Sequence, residues 1–306
     1  MSFETLIEEL ADPAKTVAVA KLAGLSGLSV EEASRFGDLW RALDERRRRW
    51  LVQELVDLTE DNVDLNFDAV FLVALAAPEP DVRRAAIMGL WEHEGRDLIG
   101  PLIGLLDSDP DAAVRADAAL ALGRYVLQAE FEAIRPADSG RVEAALRQTI
   151  TDPTEIPEVR ARALEALGAR SAEWVRDLIE DAYTGDDRRL RISAVHAMGR
   201  SCDPAWLSSV FAEIESDDPE MRYEAALAAG SIADAEATPY VASLIHDEDP
   251  EVQEAAIAAL GQIGGAGAKE TLQELLAEGD QRIHDAVQAA LAEVDYDEDP
   301  LAFKLP

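Results

Sequence analysis

Seven apolar residues, Val82, Val114, Val159, Leu190, Met221, Val252 and Ile283, each follow a short acidic stretch and open the same pattern. Four places later stand Ala86, Ala118, Ala163, Ala194, Ala225 and Ala256, then Val287; eight places later stand Leu90, Leu122, Leu167, Met198, Ala229, Leu260 and Leu291. Offsets of 0, +4 and +8 lie on one stripe of an α-helix rather than on alternate faces of a strand. The last four steps between anchors are 31 residues each; the first is 32 and the second 45. A second amphipathic segment follows each first one, as in "RDLIGPLIGLLD", "AEWVRDLIEDAY" and "AKETLQELLAE". Each unit therefore reads as helix, turn, helix. A single pair cannot bury its own apolar face, so successive pairs must stack. Alanine in mid-stripe removes bulk and lets the neighbouring helix come close.

The expected fold is an all-α solenoid of about seven to eight stacked antiparallel helix pairs. The boundaries carry their own signals. Asp109-Pro110, Asp218-Pro219 and Asp249-Pro250 read as an N-cap followed by proline at the first helical position. Gly123, Gly168, Gly199, Gly230 and Gly261 stand nine places after their anchors, where a left-handed glycine would end the helix. Ser29 and Glu32 form a capping-box pair. Residues 1–77 read as a helical cap with a degenerate pair, 78–293 as the repeat array, and 294–306 as an acidic tail. Between Val114 and Val159 the step holds extra residues, roughly 125–140. Such insertions are expected as loops on one face, with Phe131 and Glu132 as candidate contacts.

Charge narrows the partner classes. Acids number 62 against 28 bases, a net charge of −34, with 4 Lys among the bases. Such a chain repels nucleic acid and anionic membranes and attracts basic partners. The same composition suits a salt-rich cytoplasm. No apolar run approaches the ~20 residues of a membrane helix, and "MSFETLIEEL" lacks the features of a secretory signal. The expected location is cytoplasmic. Cys202 is the only cysteine, which excludes an internal disulfide and a cysteine-rich zinc site.

The acidic loop, the V-R-x-x-A phrase and the glycine after it resemble HEAT repeats, specifically the short HEAT-like type of phycobilisome lyase subunits. The resemblance covers about Pro78 to Glu293. It implies the stacked-pair fold, with second helices lining an inner concave surface, and it serves many functions. A di-iron hydroxylase built from such repeats carries His-Glu pairs directly after its anchors. Here those places hold Arg83-Arg84, Arg115-Ala116, Arg160-Ala161 and Arg222-Tyr223, none of which ligates iron.

No catalytic set, cofactor site or metal site is expected. "DNVDLNFD" (61–68) alternates oxygen ligands, but Ala69 stands where a calcium loop needs glycine; it reads as a capping loop. The arginine after each anchor reads as a bond to an acid in a neighbouring loop. "ERRRRWL" (45–51) reads as a basic run neutralised by adjoining acids. The candidate binding surface comprises Trp174, Tyr183, Trp206, Phe211 and Tyr240 with Asp177, Glu180 and Glu213. Aromatics among acids suit a basic peptide through cation–π contact and ion pairing. The function expected is a non-catalytic scaffold or adaptor that binds a basic protein or peptide, with no role for nucleic acid or membrane. The alternative is an enzyme or enzyme subunit of the bilin-lyase type.

Overall fold

A computed structural model describes residues 2–298 of the chain. Among them the regular structure is helical throughout, with no strand. The N-terminal elements are α1 (Phe3–Ala11), a 3-10 helix (Val19–Leu25), α2 (Val30–Ala42), α3 (Glu45–Asp61) and α4 (Asp68–Ala74). Helix pairs follow: α5 (Pro80–Gly89) with α6 (Ile99–Ser108), α7 (Ala112–Glu130) with α8 (Pro136–Thr151), and α9 (Pro157–Leu167) with α10 (Glu173–Thr184). Next come α11 (Arg188–Arg200) with α12 (Leu207–Ile214), α13 (Pro219–Ile232) with α14 (Thr238–Ala242), and α15 (Pro250–Ile263) with α16 (Gly265–Glu278); α17 (His284–Glu298) ends the described residues. Of the tail expected at 294–306, residues 299–306 lie outside the described residues.

The chain divides into two compact units, 1–125 with 135–149, and 126–134 with 150–306. In the first, α3 packs on α5 and α2 on α4. In the second, α9, α11, α13, α15 and α17 pack in succession, each on the next. The apolar stripe lies along these contacts. Every anchor is buried, and Ala86, Ala118, Ala163, Ala194, Ala225, Ala256 and Val287 are fully enclosed. The +8 positions are enclosed too, except that Leu291 is half-exposed.

Three expectations about boundaries need correction. Of the glycines nine places after the anchors, Gly168 caps the end of α9, but none of them ends its helix through a left-handed conformation. Gly199, Gly230 and Gly261 lie inside α11, α13 and α15, and Gly168 has a right-handed φ of −53°. They are small because the next helix touches them. A Cβ on Gly199 would stand 2.6 Å from the Ala228 Cα, and one on Gly230 2.8 Å from the Ala259 Cα. The Asp218 and Asp249 caps form as expected, accepting the Glu220 and Glu251 amides. At Asp109-Pro110 the cap moves: Asp111 accepts the Ala113 and Val114 amides at the start of α7. Asp109 is freed for another bond, described below. The extra residues near 125–140 are not a loop. They lengthen α7 to 19 residues and open α8, leaving only a turn around 131–135.

Candidate functional site

The arginines after the first five anchors are structural. Arg83 donates two parallel bonds to Asp109, both 2.7 Å, and a third to the Ala77 carbonyl at 2.8 Å. Arg222 repeats this on Asp247 at 2.7 and 2.8 Å, with a bond to the Ser216 carbonyl at 2.8 Å. Arg115 and Arg160 reach the Asp109 and Ile150 carbonyls, both at 2.8 Å. Gln253 takes the same place and donates to the Ile245 carbonyl. Each side chain thus ties the loop before its helix pair, and in the full cases also the loop after it. The Arg222 hydrogen bonds hold the Asp247 carboxyl below the usual carboxylate range.

"ERRRRWL" hides the same clamp. Arg48 pairs with Glu79, Nε to Oε2 at 3.0 Å, and also reaches the Leu43 carbonyl. Arg49 pairs with Asp81 and Glu45. Arg47 donates to the carbonyls of Asp12 and Lys15. The Arg46 side chain makes no bond within the described residues.

The residues of the expected binding surface separate into two groups. Trp206 and Glu213 are buried, each 8% exposed. The Arg176 guanidinium lies 5.3 Å from the Trp206 ring and pairs with Asp203. Glu213 accepts the Tyr183 hydroxyl at 2.8 Å and Arg191 at 3.4 Å. Burial, then the Glu213 hydrogen bond, pushes the Tyr183 phenol up to about 12. These three side chains join α10, α11 and α12 to one another. The second group is more open to water, with Phe211 half-buried. Phe211 and Tyr240 stack with centroids 3.9 Å apart and planes 8° off parallel, and Tyr240 is 43% exposed. Asp177 and Glu180 on α10 are exposed and carry no ion pair. Glu180 stands 31 residues before Phe211, the repeat step, so the acid holds the place of the aromatic one layer earlier. Trp174 is half-buried. In the turn after α7, Phe131 is 74% exposed, and Glu132 takes a left-handed φ of 55°.

The remaining candidates are engaged locally. Asn62 and Asn66 of the 61–68 segment accept the Asp64 and Asp68 amides, and Asp68 holds His93 Nδ1 at 2.8 Å. Burial of the His93 ring lowers its pKa, but bonds to Asp68 and Asp97 raise it and prevail. His196 Nδ1 lies 3.0 Å from Glu224. Cys202 is exposed between α11 and the Pro204–Trp206 turn, with φ of 49°. No group of three or more His, Cys, Asp or Glu is placed to hold a metal ion among the described residues. No described helix is long and apolar enough to cross a membrane.

The family model for HEAT repeats matches residues 69–137 and 207–292, just over half of the chain. The chain belongs to the HEAT-repeat family. Among solved structures, this HEAT-repeat protein is similar to an engineered protein at 21% identity, over 96% of this chain and 88% of that one, with a TM-score of 0.41. It is similar to importin beta at 15% identity and a TM-score of 0.49, over 95% of this chain but 46% of that one. Human deoxyhypusine hydroxylase in complex with glycerol aligns at 16% identity over 96% of both chains, with a TM-score of 0.36. No curated protein matches the HEAT-repeat chain.

Proposed function

We propose that this HEAT-repeat protein is a non-catalytic scaffold that holds a basic protein or peptide on the second helices of its C-terminal unit. The observation that carries the reading is the Phe211–Tyr240 stack on α12 and α14, with Tyr240 43% exposed, together with exposed carboxylates at Asp177 and Glu180 on the preceding second helix, α10. A lysine or arginine laid over the ring faces gains cation–π attraction, and the acids of α10 offer ion pairs to further cations of the same ligand. Tyr183 and Glu213 support the surface rather than touch the ligand, because they are bonded to each other and Glu213 also to Arg191, and Trp206 is buried with its ring against Arg176. The net charge of −34 adds long-range steering of a cationic partner.

The test uses a fluorescein-labelled, Lys- and Arg-rich amphipathic peptide and fluorescence anisotropy. Affinity is expected to fall as NaCl rises from about 0.05 to about 0.5 M. Asp177→Lys with Glu180→Lys should weaken binding at least about tenfold at low salt, mostly by slowing association. The control pair is Glu251→Lys with Glu254→Lys, exposed on α15, which changes net charge equally. Equal losses from the two pairs would assign binding to bulk charge and remove the need for this surface.

A further inference from the structure

We propose that a cleft in the N-terminal unit is a second docking site, of opposite polarity, for an extended acidic peptide carrying an apolar side chain. The cleft, about 590 Å³, is formed by the segment 13–19 and the first turns of α3, with Lys15, Val19, Asp44, Arg46, Arg47 and Trp50 on its walls. The inference does not rest on the reading of the C-terminal unit.

The chain has 4 lysines and a net charge of −34, yet three cations border this one cleft. Lys15 and Arg46 are exposed, and neither side chain has a carboxylate partner. Arg47 spends its donors on two backbone carbonyls, Asp12 at 3.1 Å and Lys15 at 2.7 Å, so its charge is not cancelled by an acid. The one acid on the wall, Asp44, caps α3 by accepting the Arg47 amide at 2.8 Å. Most arginines elsewhere have a carboxylate partner, as Arg48, Arg49, Arg83, Arg188 and Arg222 do, so this concentration of unmatched positive charge is local.

The backbone of the segment 13–19 suits a peptide rather than a small anion. A turn closes with the Lys15 amide on the Asp12 carbonyl at 3.1 Å, and the 3-10 helix starts at Val19. Between them the amides of Thr16, Val17 and Ala18 have no acceptor within the described residues. Ala18 is extended, with φ −73° and ψ 134°. The Val17 side chain is 3% exposed and pins the segment from below, while the Arg47 bonds pin it from the side. Such a segment presents a fixed edge of donors and acceptors to an added extended chain. The apolar part of the ligand has a place as well. Trp50 is half-buried with Arg47 5.5 Å from its ring centroid, and Val19 is 37% exposed. Carboxylates would meet Lys15 and Arg46, and an aliphatic or aromatic side chain would rest on Trp50 and Val19. Long-range repulsion from the rest of the molecule is screened beyond about 8 Å at physiological salt, so the local cations decide the sign at contact.

The probe is a fluorescein-labelled ten-residue peptide of Asp and Glu flanking a central Leu-Phe, titrated with the full chain at physiological salt. Saturable binding is expected, with a change in tryptophan emission that disappears in Trp50→Phe. Arg46→Glu should weaken binding about tenfold or more without lowering thermal stability, because the Arg46 side chain makes no bond within the described residues. Arg135→Glu makes the same charge change in the exposed turn after α7 and should leave affinity within about twofold. N-methylation of the central peptide amides should also weaken binding. Equal losses from Arg46→Glu and Arg135→Glu would overturn the site in favour of net charge. Full competition by inorganic sulfate, or unchanged binding of the N-methylated peptide, would overturn the peptide and its backbone pairing.

Discussion

Gly230 and Gly104 are both helical glycines, and the structure expects opposite outcomes from giving each a methyl group. At Gly104 in α6 nothing lies within 4 Å of the new atom. Gly104→Ala should therefore stabilise by about 0.5–1 kcal/mol, the ordinary helix preference for alanine. At Gly230 the new atom meets the Ala259 Cα at 2.8 Å and its Cβ at 2.9 Å. Backbone cannot swing aside like a side-chain tip, so α13 and α15 must separate. Gly230→Ala should cost about 1–3 kcal/mol as overpacking, read as a lower urea midpoint with an unchanged slope. A stabilised Gly230→Ala would show that the contact is not tight. The sequence marks these positions but not their cause. A helix-ending glycine and a close-contact glycine both follow the apolar stripe. The distinguishing sign was the small residue seven places after each anchor, at Ala197, Ala228, Ala259 and Ala290. Each is the surface that the preceding repeat's glycine touches.

At the scale of a helix pair, the clamp from Arg222 to Asp247 decides how α13 and α14 meet their neighbours. Both side chains are largely enclosed, at 17% and 7% exposure. Removing the arginine leaves a carboxylate without its cation. Arg222→Ala is expected to cost about 3 kcal/mol, the low end for a buried pair, since Arg222 keeps some contact with water. The pH dependence follows from direction. Asp247 in the folded chain titrates below its ordinary 3.8, chiefly because of the Arg222 hydrogen bonds. The clamp's contribution is complete above the unfolded value and is lost as pH falls through the lower folded one. Acid also neutralises the 62 carboxylic side chains and relieves self-repulsion, but it does so in both proteins. The difference in melting temperature between wild type and Arg222→Ala should therefore be constant near neutrality and shrink below about pH 4. A difference that stays flat to pH 3 would mean that the carboxylate is not held by Arg222. The arginine was legible because it recurs. Its acid was not, because each loop carries several and only folding selects one. For the same reason the run at 45–51 reads as neutralised by adjoining acids without revealing that Glu79 is the partner of Arg48. On the second helices, aromatic spacing alone did not distinguish buried Trp206 from exposed Tyr240.

At the scale of the whole molecule, the excess of acids makes salt act on folding and on binding with opposite signs. The fold was readable because the same helix pair is written repeatedly, and the charge is readable as a total, but its consequence depends on which interactions salt reaches. Exposed pairs such as Arg188 with Asp218 and Arg49 with Asp81 are worth about 0–1 kcal/mol each and weaken with salt. Enclosed pairs such as Arg83 with Asp109 are screened much less. Against these stand 34 uncompensated negative charges, which folding gathers into a smaller volume and which repel one another in the folded state. The excess outweighs the exposed pairs, so salt should stabilise. Raising KCl from about 0.1 to about 1 M shortens the screening length from about 10 to about 3 Å and should raise the urea midpoint. Urea is the denaturant required, because guanidinium is itself a screening salt. Over the same range the cationic peptide of the binding assay should dissociate. A midpoint that fell with KCl would show that exposed ion pairs, rather than self-repulsion, dominate the electrostatics of folding. Peptide affinity that rose with KCl would place recognition on apolar contact at Phe211 and Tyr240, and the acids at Asp177 and Glu180 would lose their assigned part.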